Sequence, residues 1–220
     1  MKLYFVMDLL DGEVVGAVKG EREKYEPVHL TSKVVESSNP FQVFDVLRPK
    51  RLYVADLDAI LGKGNNFAVI EKLAGMCELI ADCGFKSVEE AKKVSFTPVL
   101  GSETFNLRKL EDGFYVSLDV RDEFLDASHS FASVDEAIEW LNSFRLKGVI
   151  VLSLRRVGTL QPDFELVERV VSASSNPVLA GGGIRNMEDV EKAKEIGCEG
   201  VLVATAVHKG LIPVEAIKNG

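Results

Sequence analysis

Asp8 and Asp119 each close a short apolar stretch, and the two stretches read alike: Tyr4-Phe-Val-Met-Asp-Leu9 against Tyr115-Val-Ser-Leu-Asp-Val120. Two carboxylates facing each other across a pocket can divide proton transfer between them. One is held protonated as general acid while the other stays ionised as base. A second chemistry-bearing feature lies near the C-terminus, in Pro177-Val-Leu-Ala-Gly-Gly-Gly-Ile-Arg-Asn186 and Gly200-Val-Leu-Val-Ala-Thr-Ala206. Each piece is an apolar strand ending in small residues. The glycines leave backbone N–H groups unshielded just before a helical pattern begins at Asn186. Such a turn directs donors at an anion, most naturally a phosphate. Gly182, Gly183, Ala204 and Thr205 are therefore the phosphate-binding candidates of this half.

The same elements recur in the first half, at an offset of roughly 100 residues. Gly84-Phe-Lys-Ser-Val-Glu-Glu-Ala91 resembles Gly183-Ile-Arg-Asn-Met-Glu-Asp-Val190, and Pro98-Val-Leu-Gly-Ser-Glu-Thr104 resembles Gly200–Ala206. The repeat predicts a second phosphate site at Gly84, Gly101 and Ser102. Its backbone is less open, with Cys83-Gly84-Phe85-Lys86 in place of a glycine run. Two anion sites across one mouth suit an elongated metabolite phosphorylated at both ends.

These groups need a scaffold that turns strand ends toward a common face. Apolar runs predict strands near Leu3–Asp8, Arg51–Asp56, Glu78–Asp82, Pro98–Gly101, Tyr115–Asp119, Gly148–Ser153, Val178–Ala180 and Gly200–Ala204. Amphipathic patterns predict helices near Phe41–Leu47, Phe67–Ala74, Val88–Val94, Val134–Phe144, Phe164–Ser172, Met187–Ile196 and Pro213–Lys218, with a short one at Asn106–Leu110. Regular alternation of the two favours parallel βαβ units, and eight of each is the count of a closed (β/α)₈ barrel. The expectation is one α/β TIM-barrel domain over residues 1–220, built from two half-barrels that cannot close alone. Asp8 and Asp119 then end the first and fifth strands, opposite each other on the active face.

The length permits a large core, and 46% hydrophobic with 27% charged residues describes a globular chain. A net charge of −8 argues against broad nucleic-acid binding. No apolar run reaches membrane-spanning length, and Met1–Val6 leads straight into a strand without a signal-peptide layout. A cytoplasmic protein is expected. Cys77, Cys83 and Cys198 lack metal-site spacing and read as reduced thiols; His29, His129 and His208 show none either. Asp56, with Asp58 nearby, closes the second strand and could contact a ribose hydroxyl or orient a loop. Leu61-Gly-Lys-Gly-Asn-Asn66 is a loop with one cation and no P-loop ending.

Taken together, Met7-Asp-Leu-Leu-Asp-Gly-Glu-Val-Val15, Val54-Ala-Asp-Leu-Asp-Ala-Ile-Leu-Gly-Lys-Gly64, Gly158-Thr-Leu-Gln161 and the Gly181–Arg185 and Gly200–Ala206 segments resemble the histidine-biosynthesis barrel family over nearly the whole chain. That family includes the phosphoribosylformimino-aminoimidazole carboxamide ribotide isomerase and the imidazole glycerol phosphate synthase cyclase subunit. The resemblance implies acid–base roles for Asp8 and Asp119, an Amadori-type aldose–ketose isomerisation of a phosphoribosyl aminosugar, and no metal or organic cofactor. It also places Ser153 and Thr159 near the substrate. Departures are specific. Arg156-Val157-Gly158-Thr159 stands where the family reads Arg-Asp-Gly-Thr, Leu152 falls near the family's catalytic threonine, and Arg121–Ser130 lacks the Arg-Gly-Trp clamp. These suggest a diverged paralogue. Three functions follow in order: the isomerase, a cyclase or lyase on another phosphosugar, and a phosphometabolite-binding barrel without catalysis. A cyclase role would imply a glutaminase partner, for which the sequence offers no docking surface.

Overall fold

The computed structural model describes all 220 residues. Strand β1 (Lys2–Leu10) turns back at Asp11–Gly12 into β2 (Glu13–Gly16), which pairs with the short β3 (Glu26–Pro27). The chain then alternates strands and helices: α1 (Pro40–Leu47), β4 (Arg51–Asp56), α2 (Leu57–Ile60), α3 (Phe67–Ala74), β5 (Glu78–Asp82), α4 (Val88–Ala91) and β6 (Thr97–Gly101). The second half continues with β7 (Tyr115–Val120), α5 (Val134–Leu141), β8 (Gly148–Ser153), α6 (Phe164–Ala173), β9 (Val178–Gly181), α7 (Met187–Ile196), β10 (Gly200–Val203), α8 (Thr205–His208) and α9 (Val214–Asn219).

β1 and β4 to β10 are parallel, each pairing with the next, and β10 returns to β1 with Lys2 opposite Gly200 and Phe5 opposite Val203. This is the closed eight-stranded α/β barrel that the periodicity predicts. Closure leaves the barrel strands no free edge. Residue alternation divides each strand between two cores. One set, with Tyr4, Tyr53, Ile80, Val99, Tyr115, Ile150, Leu179 and Leu202, fills the barrel. The other, a far larger cluster including Phe5, Met7, Leu52, Val116 and Val149, packs beneath the helices. Gly148 and Gly200 stand where bulk is excluded: a Cβ at Gly148 would lie 2.8 Å from the Tyr115 ring.

Helix starts follow local chemistry. Ser87, Ser133, Asp163 and Asn186 each accept a backbone N–H three residues on, which ends a strand-to-helix loop cleanly. Three helix expectations change. α4 stops at Ala91 rather than Val94, α5 stops at Leu141 rather than Phe144, and Asn106–Leu110 forms only a single 3₁₀ turn at Leu107–Lys109. Arg108 of that turn lies against the rings of Phe131 and Trp140, and the Trp140 indole donates to the Leu107 carbonyl. These contacts take over the packing a longer helix would have made. The β2–β3 hairpin was not evident in the sequence pattern, because Lys19–Pro27 is highly charged and has no strand alternation.

Candidate active site

Asp8 and Asp119 sit four strands apart in the ring, on β1 and β7, and both line one cavity at the C-terminal end of the barrel. The acids therefore share a chamber, as the spacing of the sequence implied. Asp82, at the end of β5, joins them. Other walls come from Arg22 and Tyr25 of the first loop, Glu103 after β6, Leu152, Leu154, Val157, Gly158 and Leu160 on and after β8, and Gly182, Gly183, Ala204 and Thr205.

The three aspartates differ in their partners. The Asp8 side chain makes no hydrogen bond within the protein, and burial in the mouth raises its pKa to about 7, with Arg22 opposing the rise. Asp119 is only 3% exposed. It accepts from the Ser117 hydroxyl at 2.7 Å and the Glu103 N–H at 3.1 Å, and its own N–H donates to Ser102 Oγ at 2.9 Å. Asp82 accepts a single bond, from the Gly84 N–H at 2.9 Å to Oδ1. A Cβ on Gly101 would lie 2.4 Å from Asp82 Oδ2 and 3.2 Å from Asp119 Oδ2, so the two carboxyls meet over that glycine. Burial raises both acids, and their mutual repulsion adds to it at Asp82. The donors on Asp119 favour its ionised form, so the proton of this pair belongs to Asp82.

Asp82 was missed as a site residue because, unlike Asp8 and Asp119, it has no acidic counterpart in the repeat, where Gly181 stands at the matching position. Only the neighbouring strand ends reveal what faces it. Glu103 and Arg22 were missed because they lie 81 residues apart, yet they form a two-pronged ion pair, 3.1 and 2.5 Å, at the rim.

The two expected anion cradles are unequal. In the second, Gly182 (φ 97°) and Gly183 (φ 82°) take left-handed backbone, and a Cβ on either would lie 2.5 Å from the carbonyl of Ser153 or Gln161. The N–H groups of Gly182, Gly183, Ile184 and Ala204 donate to no protein acceptor, and all four residues line the cavity. In the first, the expectation for Gly84, Gly101 and Ser102 is corrected. The Gly84 N–H is engaged by Asp82, and a Cβ there would meet the Ile60 backbone at 2.7 Å. Gly101 is small to admit the two acids. Ser102 is fully buried, its N–H donating to Ser117 and its hydroxyl to Asp119.

The three residues expected near the substrate are engaged within the protein or lie outside the cavity lining. Asp56 is fully buried, caps α2 through the Ala59 N–H and accepts from the Asn66 backbone and side chain at 2.6 and 2.8 Å. Its role is to hold the loop. Ser153 is absent from the cavity lining because alternation on β8 turns Leu152 inward instead. The Thr159 hydroxyl donates to the Arg156 carbonyl at 2.8 Å within its own turn. His208 is buried rather than at the surface, bonded to Ser32 Oγ at 3.0 Å, and burial lowers its pKa to about 4.

The mouth is partly closed. Lys19 N–H donates to the Val157 carbonyl at 2.9 Å, joining the first loop to the loop after β8, and the enclosed space is about 100 Å³.

A closed parallel eight-stranded barrel with acids and open backbone donors at one mouth places the chain among the (β/α)₈ proteins. Residues 2–213 match the family model described as histidine biosynthesis protein, and the chain belongs to that family. Among its relatives, an uncharacterized protein of Methanocaldococcus jannaschii is 34% identical, the alignment covering all of this chain and 98% of the relative. The 1-(5-phosphoribosyl)-5-((5-phosphoribosylamino)methylideneamino) imidazole-4-carboxamide isomerase of Nitrosopumilus maritimus is 26% identical over all of this chain and 99% of its own length. Its namesake in Thermococcus onnurineus is 27% identical over 99% of this chain and 97% of its own. No helix is long and apolar enough to cross a membrane.

Proposed function

We propose that this barrel is an aldose–ketose isomerase acting on a phosphorylated aminosugar, with the ester held at Gly182, Gly183, Ala204 and Thr205. The observation that carries the reading is a single cavity shared by Asp8, Asp119 and those open backbone donors. Isomerase relatives that align over the full length of the chain support the reaction class.

Acid and base are assigned by their surroundings. Asp8 has no protein donor and is raised to about 7, so it carries a proton through much of the neutral range. It is suited to protonate the ring oxygen as the sugar opens. Asp119, held by the Ser117 hydroxyl and the Glu103 amide, is suited to take the proton from C2. Electrons from that C–H bond form the enaminol, and protonation at C1 with loss of the C2 hydroxyl proton, which returns to Asp8, gives the ketose. No net oxidation occurs, and each proton removed is returned. Tyr25, near Asp8, helps wall the reacting carbons from water.

The test is to assay the purified chain with the histidine-pathway aminosugar beside Asp8→Asn and Asp119→Asn. Turnover in the wild type and its loss in both variants supports the reading. Full activity in both variants overturns the acid–base assignment. A second reading, a different reaction on another phosphosugar, is favoured by Leu152 and Val157, which present apolar surface to the cavity. Robust isomerisation eliminates it.

A further inference from the structure

We propose that the natural ligand carries one phosphate only, and that its other end is uncharged or cationic, a hydroxyl or a protonated amine facing Asp8, Asp82 and Glu103. The inference rests on the mouth being the ligand site, as above, but not on the reaction assigned to it.

The two walls of the cavity are chemically opposite. On the β9–β10 side, four backbone N–H groups have no protein acceptor. On the β5–β6 side Gly84 is engaged by Asp82, Ser102 by Ser117 and Glu103 by Asp119, while Cys83 and Phe85, whose N–H groups have no protein acceptor, do not line the cavity. Thr104 and Phe105 both donate to the Gly101 carbonyl, which removes the next two amides along that loop. The Ile60 backbone also sits against Gly84, leaving no room for an anion to approach.

Charge reinforces geometry. The β5–β6 wall carries Asp82 and Glu103, with Asp119 beside them and Asp8 across the floor. Asp82 is 6% exposed, yet its Oδ2 makes no hydrogen bond within the protein while the residue lines the cavity. That oxygen is free to pair with a hydroxyl or amine of the ligand. Arg22 is the cation of this wall, and both its terminal nitrogens are held by Glu103. A second phosphate would face Asp119 and the paired Glu103, with no open amide on this wall of the cavity to receive it. A hydroxyl or ammonium group would instead pair with these acids.

The experiment is calorimetric titration of the full chain with ribose 5-phosphate, glucosamine 6-phosphate and ribulose 1,5-bisphosphate. The two monophosphates should bind, and the bisphosphate at least ten-fold more weakly than ribose 5-phosphate. Glu103→Gln, which keeps shape but removes charge and frees Arg22, should narrow that gap to three-fold or less. Thr205→Glu should abolish monophosphate binding, with Ala204→Asp as a second variant should the first fail to fold. Bisphosphate binding as tight as or tighter than that of ribose 5-phosphate overturns the proposal, as does failure of every probe to bind. Tight binding of the doubly phosphorylated pathway aminosugar overturns this proposal whatever its turnover, and monophosphate binding without isomerisation of any of these sugars sinks the isomerase reading and leaves this one standing.

Discussion

Asp8 carries a penalty that the fold tolerates for the sake of its position. Its pKa is about 7 in the folded chain against 3.8 for an ordinary aspartate, so the folded state holds the proton more tightly. Stability therefore falls as pH rises from about 4 through about 7. A gap of that size corresponds to at most about 4 kcal/mol, and partial solvent access reduces it to about 1–2 kcal/mol. Asp8→Asn should melt higher than wild type by about 2–8 °C at pH 8 and equally near pH 4, read by calorimetry at both values. The same substitution should lower kcat by about 10²–10⁴-fold with ligand affinity largely kept, and Asp119→Asn should do likewise. A variant more stable yet inactive would locate the strain in a working group rather than a structural one.

At the scale of elements, the site depends on two short connections. One is the β4–α2 turn, where Asn66 Nδ2 donates to both Asp56 and Asp58 at 2.8 Å, and Asp58 also accepts the Asp11 N–H at 2.9 Å. This cluster ties the β1–β2 turn to α2, and α2 in turn presses on Gly84. Asn66→Leu would strip donors from two buried carboxylates, and should destabilise by about 2–4 kcal/mol in urea unfolding. The other connection is the meeting of the first loop with the loop after β8. A Cβ on Gly158 would lie 2.0 Å from the Ala17 carbonyl, at a left-handed φ of 78°. Gly158→Ala should prise these loops apart, weakening ribose 5-phosphate binding ten-fold or more in titration. A fall in affinity without a comparable fall in melting temperature would mark the contact as a closure over the ligand.

For the whole molecule, β1 is the keystone: it pairs with β4 on one side and β10 on the other, so the two ends of the chain complete each other's sheet. Ligand held between the β1, β7 and β9 ends should therefore stabilise the barrel as a unit. Ribose 5-phosphate at one hundred times its Kd adds about 2.7 kcal/mol, a rise of about 5–11 °C for a chain of this size. Thr205→Glu should erase that rise, measured by scanning calorimetry with and without the sugar. An unchanged melting temperature in the wild type would count against the mouth as the ligand site.

The amino-acid sequence by itself determined the barrel. Strand and helix periods, helix caps at Ser87, Ser133 and Asn186, and the small residues after β9 and β10 are local signals that neighbouring residues suffice to produce. They also placed Asp8 and Asp119 on strands that must face one another. What required the tertiary structure was everything set by residues distant in the chain. The halves of the repeat look alike residue by residue, yet only the first is blocked, because Asp82 turns onto the Gly84 amide while Ile60 from another unit packs against it. Leu152 rather than Ser153 enters the mouth because a strand's alternation has two phases, and closure of the ring selects one. Asp82 is pushed toward its protonated form by burial and by the charge of Asp119, and Glu103 finds its partner in Arg22, across separations that no sequence window spans. Electrostatic environment depends on distance in space, and the chain order carries that distance only after the barrel has closed.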